Sequence, residues 1–494
     1  VFAHIYAGFR SEASLILPVT TLGRKYYSSN FWQASTNNSK SQFQIVATKP
    51  NTVVQYQLRR NGVLDPVVST QTLANPGDVL QIQDNADLSG SVIESIATAG
   101  SSCNKIAVFS GSSALSISSA RCNGTSYDPL FQQCYPVTSW GNNFGVVPLA
   151  NNSNGFHVRV TASENGTSVN FNGTTVKLDA GEYYPATSPT PQSYTEPLTI
   201  SADKPISVSQ YLMSGNCAGS NTVPGASNAQ GDPDMIILNP VEQSIRDINI
   251  FSSNLQNIRT KFLCVYIKSS VASTFRINNA APMGNFVPMP QNNGYSYLVE
   301  DLTTYGTQSF RLTADSGFNA ITYGMGDAES YGYSAGTNVT DRYQFLSVNN
   351  DYASVNIPAA CRNAPFRLSM TFPYQPTEII WKFNGLFPDI TVSSPTANGT
   401  EVVDGKTLYR YDLPNPFLAT AAGSYPITVL AQNPTSDGCN GEQEIELELE
   451  IYEPPVANFN FTTNGCVSSP VVFTDATVNN TGRNIDRWHW NFGD

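Results

Sequence analysis

The feature that most limits what this chain can fold into is an internal repeat of whole β-modules. Three times an alternating run opens on phenylalanine: Phe43-Gln44-Ile45-Val46-Ala47, Phe156-His157-Val158-Arg159-Val160 and Phe262-Leu263-Cys264-Val265-Tyr266. A second strand-like run follows in each copy (53–56, 168–171, 273–276), then a third led by glycine (77–80, 181–184, 294–297). Each copy closes on a pair of runs, 91–95 with 105–110, 197–201 with 205–211, and 309–313 with 318–323. A related run precedes each copy, at 13–19, 144–149 and 234–241. Alternation with period two places successive side chains on opposite faces, as a strand requires, and Asn-Gly, Gly-Asp and proline turns separate the runs. Helical periodicity is nearly absent. An all-β chain is expected, with three related β-modules in residues 1–335 (about 1–130, 131–230 and 231–335). Units of this size are expected to carry their own cores, unlike short repeats that only stack.

Composition narrows the partners. Charged residues make up 13% of the chain, about half of the roughly 25% usual for soluble domains. The formal charge of −12 is spread thinly. Nucleic acid is excluded as a partner, because neutralising phosphates needs clustered Lys and Arg. No apolar run approaches the length of a membrane helix, so this segment is not expected to insert in a bilayer. Val1-Phe2-Ala3-His4 reads as the start of a mature chain after removal of an export signal, and the sequence is expected to continue past Asp494.

Residues 340–453 read as one immunoglobulin-like β-sandwich. Cys361, Trp381 in the alternating run 379–383, and Cys439 follow the order in which such a core packs an indole near a disulfide. Cys361–Cys439 is therefore an expected bridge, and Cys122–Cys134 is the second. Cys264, within an apolar strand, reads as a buried free thiol. Residues 455–494 start a further β-domain, in which Trp488, Trp490 and Phe492 alternate as core positions.

Catalytic signals are thin. Gly332-Tyr333-Ser334-Ala335-Gly336 matches a nucleophile elbow, but no helical pattern and no histidine of the same domain follow it; a glycine-rich turn is expected. His4, His157 and His489 have no metal-ligand spacing, and His157 reads as a strand-surface residue. No catalytic residue and no cofactor are expected. Structural calcium is the one ion with a case, at Asp84/Asp87 or Asp232/Asp234, where hard oxygens lie close in sequence; a plain turn is the competing reading. Tyr323, Tyr331 and Tyr333, flanked by glycine, are the expected contact surface, since tyrosine offers rigid amphipathic area.

Two resemblances follow from these motifs. The runs 11–18, 22–27, 202–208 and 231–243 make the first 335 residues similar to the N-terminal-like domain of IgGFc-binding protein. The runs 455–459, 471–475 and 488–494, the last reading Trp-His-Trp-Asn-Phe-Gly-Asp, resemble the start of a PKD domain. The combination is similar to surface adhesins of Bacteroidota exported by the type IX route. That resemblance implies an extracellular, cell-surface location and a role as adhesin or as structural subunit of an appendage. The implied partners are glycans or proteins of target cells or surfaces, and further copies of the chain in a homo-oligomer. A secreted polysaccharide-binding or polysaccharide-degrading protein is the alternative.

Overall fold

The computed structural model describes the chain except residues 7–9, 34–38, 99–102, 151–153, 186–191, 216, 218–230, 340, 351–353, 356–357, 435–440, 467–468, 480–484, 486–487 and 492–494. The described residues form 36 strands and five short 3-10 turns, with no α-helix among them. They form two compact units, Val1–Arg342 and Tyr343–Asp494.

In the first unit the repeat becomes topology. Each phenylalanine-led run is a central strand: Ser41–Ala47, His157–Ala162 and Ile258–Lys268. On one side it pairs antiparallel with its module's third run, Val79–Asp84, Tyr183–Tyr184 or Asn292–Asp301. On the other it pairs with the closing strand, Ile106–Leu115, Leu198–Leu212 or Ser309–Gly326. In the second and third modules the closing strand is long enough to serve two neighbours. Its first half pairs with the module's second run, at 169–171 or 276–277, and its second half with the central strand. In the first module the same two jobs fall to separate strands, Val92–Ile96 and Ile106–Leu115.

The first and third modules have cores of their own, as their size implies, but a further core is shared between the second and third. The reason lies in the central strands, which are buried on both faces. In the third module Leu263, Val265 and Ile267 point into that module's own core. The alternate residues Phe262, Cys264 and Tyr266 enter a cluster that also holds Val158, Val160 and Ile206 of the second module. The second module repeats the pattern: its alternate face, His157, Arg159 and Thr161, turns away from that cluster, and Arg159 reaches Asp87 of the first module. A strand buried on both faces reads as a near-continuous buried run, and 261–267 is one. In the first module Phe43, Ile45 and Ala47 face the core, while Gln42 on the other face binds Gln81 and Gln83 side chains at 2.9 and 2.7 Å.

The runs that precede or follow the modules form the centre of this unit. Ser11–Leu15, Asp128–Gln133, Asp234–Ile237 and Glu329–Ser334 are strands. The first three are followed by a proline and a 3-10 turn, Val19–Thr21, Val137–Ser139 and Val241–Gln243. Ser11–Leu15 packs against Asp128–Gln133, that strand against Asp234–Ile237, this one against Glu329–Ser334, and the last returns to Ser11–Leu15. The closure is hydrogen-bonded. Ser11 Oγ donates to the Ser330 carbonyl at 2.6 Å, Gln132 Nε2 to the carbonyls of Ala13 and Gly332 at 2.5 and 3.1 Å, and Ser330 Oγ to the Asp232 carbonyl at 2.9 Å.

The second unit contains two five-stranded sheets. One runs, in order, 354–355, 345–349, 367–372, 406–412, 399–403; the other 359–361, 441–452, 423–433, 378–382, 390–393. Trp381, 1% exposed, lies in the core of this unit, as its alternating run implies. The hairpin Phe459–Thr462 with Val472–Asp475 follows. Trp488 and Trp490 are 49% and 38% exposed, and the Trp490 ring packs on Phe459 and Phe473 with centroids 5.5 and 5.7 Å away. Phe492 lies outside the described residues.

Candidate functional site

Four acidic side chains mark equivalent strands at the centre of the first unit: Glu12, Asp128, Asp234 and Glu329. Asp128, Asp234 and Glu329 are each the first residue of their strand, and Glu12 is the second of its own. All four are no more than 1% exposed, and Asp232, two residues before Asp234, is 2% exposed. Asp128 Oδ2 accepts the Ser11 amide at 3.4 Å, and Asp234 Oδ1 accepts the Met235 amide at 2.6 Å. Glu12 Oε1 accepts from Gln132 Nε2 at 3.3 Å. One oxygen of each of the five carboxyls is buried with no hydrogen-bond donor. Glu12 and Asp234 are joined side chain to side chain. Burial raises both above the ordinary carboxylate range, and their proximity adds to the rise at Glu12. Burial, reinforced by Asp232, Asp234 and Glu329, pushes Asp128 up to about 10. Asp232 rises to about 6, also through burial, with Arg10 opposing. Burial raises Glu329 as well. Among the described residues, no three His, Cys, Asp or Glu side chains are arranged to hold a metal ion.

The Asp84/Asp87 pair is occupied otherwise. Asp87 forms a buried ion pair with Arg159 at 2.9 Å, and Asp84 binds Arg60 Nε at 2.7 Å. Arg159 also donates to the Asn30 carbonyl and Ser89 Oγ at 2.9 and 2.5 Å. Its guanidinium lies over the rings of Tyr183 and Phe31, 4.4 and 5.3 Å from their centroids. Asp87 is thus the anchor of the first module on the second.

The tyrosine surface expected at Tyr323, Tyr331 and Tyr333 is corrected. Their exposures are 0, 1 and 2%. Tyr323 donates to no solvent-facing group; its hydroxyl accepts the Ala150 amide at 2.6 Å. Tyr333 stacks on Phe2 with centroids 4.9 Å apart, and the Tyr331 hydroxyl meets Ser252 Oγ at 2.9 Å. The neighbouring glycines admit rings rather than solvent: a Cβ on Gly324 would sit 2.4 Å from the Tyr331 ring. Ser334 is buried at the end of an ordinary strand, without the strand-to-helix turn of a nucleophile elbow. His157 is likewise inside, 2% exposed, with Nε2 and Nδ1 against the carbonyls of Ser118 and Gln192 at 2.8 and 3.1 Å.

The expected Cys122–Cys134 bridge is replaced, and the expected Cys361–Cys439 bridge falls on a residue outside the described ones. Cys122 bonds Cys217, tying the first module to the second. Cys134 is a free thiol turned into the first module's core, with Ser110 Oγ 3.0 Å away. Cys361 is free too, and Cys439 lies outside the described residues. Cys361 aligns with Tyr452, at the far end of the 12-residue strand from Gly441. Cys264 is the buried free thiol the sequence indicates.

Exposed apolar side chains concentrate elsewhere. Val63, Leu64, Val67 and Val68 lie on the strand Val63–Leu73, which ends its sheet and pairs only with Thr52–Arg60. Val79, on the terminal strand of the partner sheet, is exposed as well. The sequence carried a signal for this edge in the Val-Leu-Asp-Pro-Val-Val run, since a proline inside a strand-like stretch marks an edge.

Three repeated β-modules closed on a ring of connecting strands define an all-β multi-module unit. The chain belongs to the IgGFc binding protein family, whose model matches residues 12–324. No curated protein matches it. Among solved structures it is similar to the C-terminal domain of the Streptococcus pyogenes antigen I/II-family protein AspA, at 8% identity over 42% of this chain and 99% of that one, with a TM-score of 0.12. It is similar also to Salmonella alpha-2-macroglobulin reacted with methylamine, at 9% identity over 86% of this chain and 29% of that one, TM-score 0.16. The N-terminal eight Ig domains of Down Syndrome Cell Adhesion Molecule match at 10% identity over 92% and 61%, TM-score 0.12. Superposition this poor carries no argument. No helix among the described residues is long and apolar enough to cross a membrane.

Proposed function

We propose that this chain is the binding portion of an extracellular adhesin or surface-structure subunit, and not an enzyme. The observation that carries the reading is the way three family-type modules spend their reactive side chains on one another. Asp87 holds Arg159, His157 holds two carbonyls, Ser334 lies inside a strand, and the central carboxyls face each other. Among the apolar side chains left on the outside, Val63, Leu64, Val67 and Val68 share one edge strand. Family membership supports binding of a protein or glycan partner, and the resemblance of the combined family-type and PKD-like regions to exported surface adhesins supports attachment to a bacterial cell surface. The edge at Val63–Leu73 is the contact surface this reading favours, because the open side of an edge strand offers a row of amides and carbonyls beside apolar side chains. Beads coated with the full chain should adhere to target cells or surfaces, and Val68→Lys should abolish most of that adhesion with the fold intact by circular dichroism. Adhesion unchanged by Val68→Lys removes this edge as the contact surface, and release of soluble sugars from glycan substrates would instead support a polysaccharide-degrading role.

A further inference from the structure

Five carboxyls gather where the four connecting strands meet, and among the described residues Arg10 is the one cation that acts on them, through Asp232. The groups facing Glu12 are Asp234 and Asp128; those facing Asp128 are Asp232, Asp234 and Glu329; Tyr6 faces Glu329. Ionised together, five carboxylates against one guanidinium would leave a large uncompensated charge out of water, which a folded protein avoids by pairing, by metal binding or by keeping protons. Pairing is incomplete, since one oxygen of each carboxyl has no donor among the described residues. A ready metal cage is not formed among the described residues. Protons remain, and the direct link between the Glu12 and Asp234 carboxyls requires one, because two carboxylates have no hydrogen to share.

We propose that the centre of the N-terminal unit is a proton-binding clasp, in which Glu12 and Asp234 share a proton and Asp128 stays a neutral acid, so that closure of the four-strand ring depends on retained protons. The clasp sits where the first strand of the unit meets the last, so releasing its protons loosens the join between Ser11–Leu15 and Glu329–Ser334. A carboxyl that ionises later in the folded chain than in the unfolded one supports folding at low pH and loses that support as pH rises. Other groups confine the window in which this can be read. His4, pushed by burial down to about 4, and His157, also lowered by burial, act in the opposite sense, but only below the ordinary histidine value of about 6.5. Cys134 and Cys264, raised by burial to about 11 and about 12, weaken the fold only above the ordinary thiol value of about 8.5. Between those limits the carboxyls dominate.

The test is the unfolding equilibrium of the N-terminal unit in the full chain, read by pulse proteolysis in urea from about pH 6.5 to 8.5 with a chelator present. Each proton the folded state retains raises the unfolding constant about tenfold per pH unit. The clasp predicts a rise of at least about 100-fold across the window, and a flattened profile in Asp128→Asn. It also predicts an infrared carbonyl band of protonated carboxylic acid in the folded wild-type chain near neutral pH. That band decides the matter if the variant does not fold. A flat wild-type profile with no such band overturns the proposal. So does stabilisation by added calcium that is lost in Asp128→Asn, which would make the cluster a cation site.

Discussion

Removing Arg159 should uncouple the first module from the second, and its effect can be worked from the site. The side chains of Arg159 and Asp87 are 6% and 0% exposed. Arg159→Met takes away the ion pair and the bonds to Asn30 and Ser89, and leaves Asp87 a buried anion held only by the amide and hydroxyl of Ser89, at 2.9 and 2.6 Å. Breaking a buried pair from one side costs about 3–5 kcal/mol, or two to four orders of magnitude in the unfolding constant at about 1.4 kcal/mol per tenfold. Asp87→Asn leaves the guanidinium unneutralised and should cost about as much. The double variant tests the reasoning, because an apolar replacement of a buried pair is often close to neutral. The two single effects should therefore sum to several kcal/mol more than the double effect. Pulse proteolysis of the full chain in urea measures all three, and salt should change them little, since a buried pair is screened weakly. Additive effects, or a loss below about 1 kcal/mol in Arg159→Met, would refute the anchoring role.

Other expected outcomes follow from single contacts. Gly145→Ala places a methyl 2.1 Å from the Tyr266 ring between the second and third modules, so it should destabilise the unit by about 1–3 kcal/mol, measured in the same urea assay; a neutral change contradicts the shared core. Opening the Cys122–Cys217 bridge, whose ends are 95 residues apart, by Cys217→Ser should cost about 2–5 kcal/mol, and thermal unfolding with and without reductant should then coincide for the variant.

Much of the fold was legible because alternation is a local signal. The phenylalanine-led runs, their third runs and their closing strands are the ladders observed, in the same order in every copy. Trp381 and Cys264 were legible for the same reason, each sitting inside an apolar alternating run. What was not legible depends on which face of a strand a neighbour covers. Tyr331 and Tyr333 looked exposed because glycines flank them, yet those glycines are the clearance into which rings pack. His157 looked like a strand-surface residue, yet it meets the Ser118 carbonyl of the first module, and Arg159 on the same face meets Asp87. Asp232 and Asp234 were visible as adjacent acids. Their association with Glu12, Asp128 and Glu329 was not, because it arises from four strands up to 319 residues apart, as the Ser11–Ser330 hydrogen bond records. Cysteine spacing misled because Cys122 and Cys134 belong to different surroundings, one in a loop facing the second module and one in a core.

The account stands on the three modules being one closed body instead of three beads. Native-state hydrogen exchange on the full chain tests this most directly, by comparing the slowest amides of Ser41–Ala47, His157–Ala162 and Ile258–Lys268. One shared opening free energy for the three strands, lowered together by Gly332→Ala, whose new methyl would meet Ile236 at 2.6 Å in the central ring, is the predicted result. Three separate values, with only the third module responding to that substitution, would contradict it.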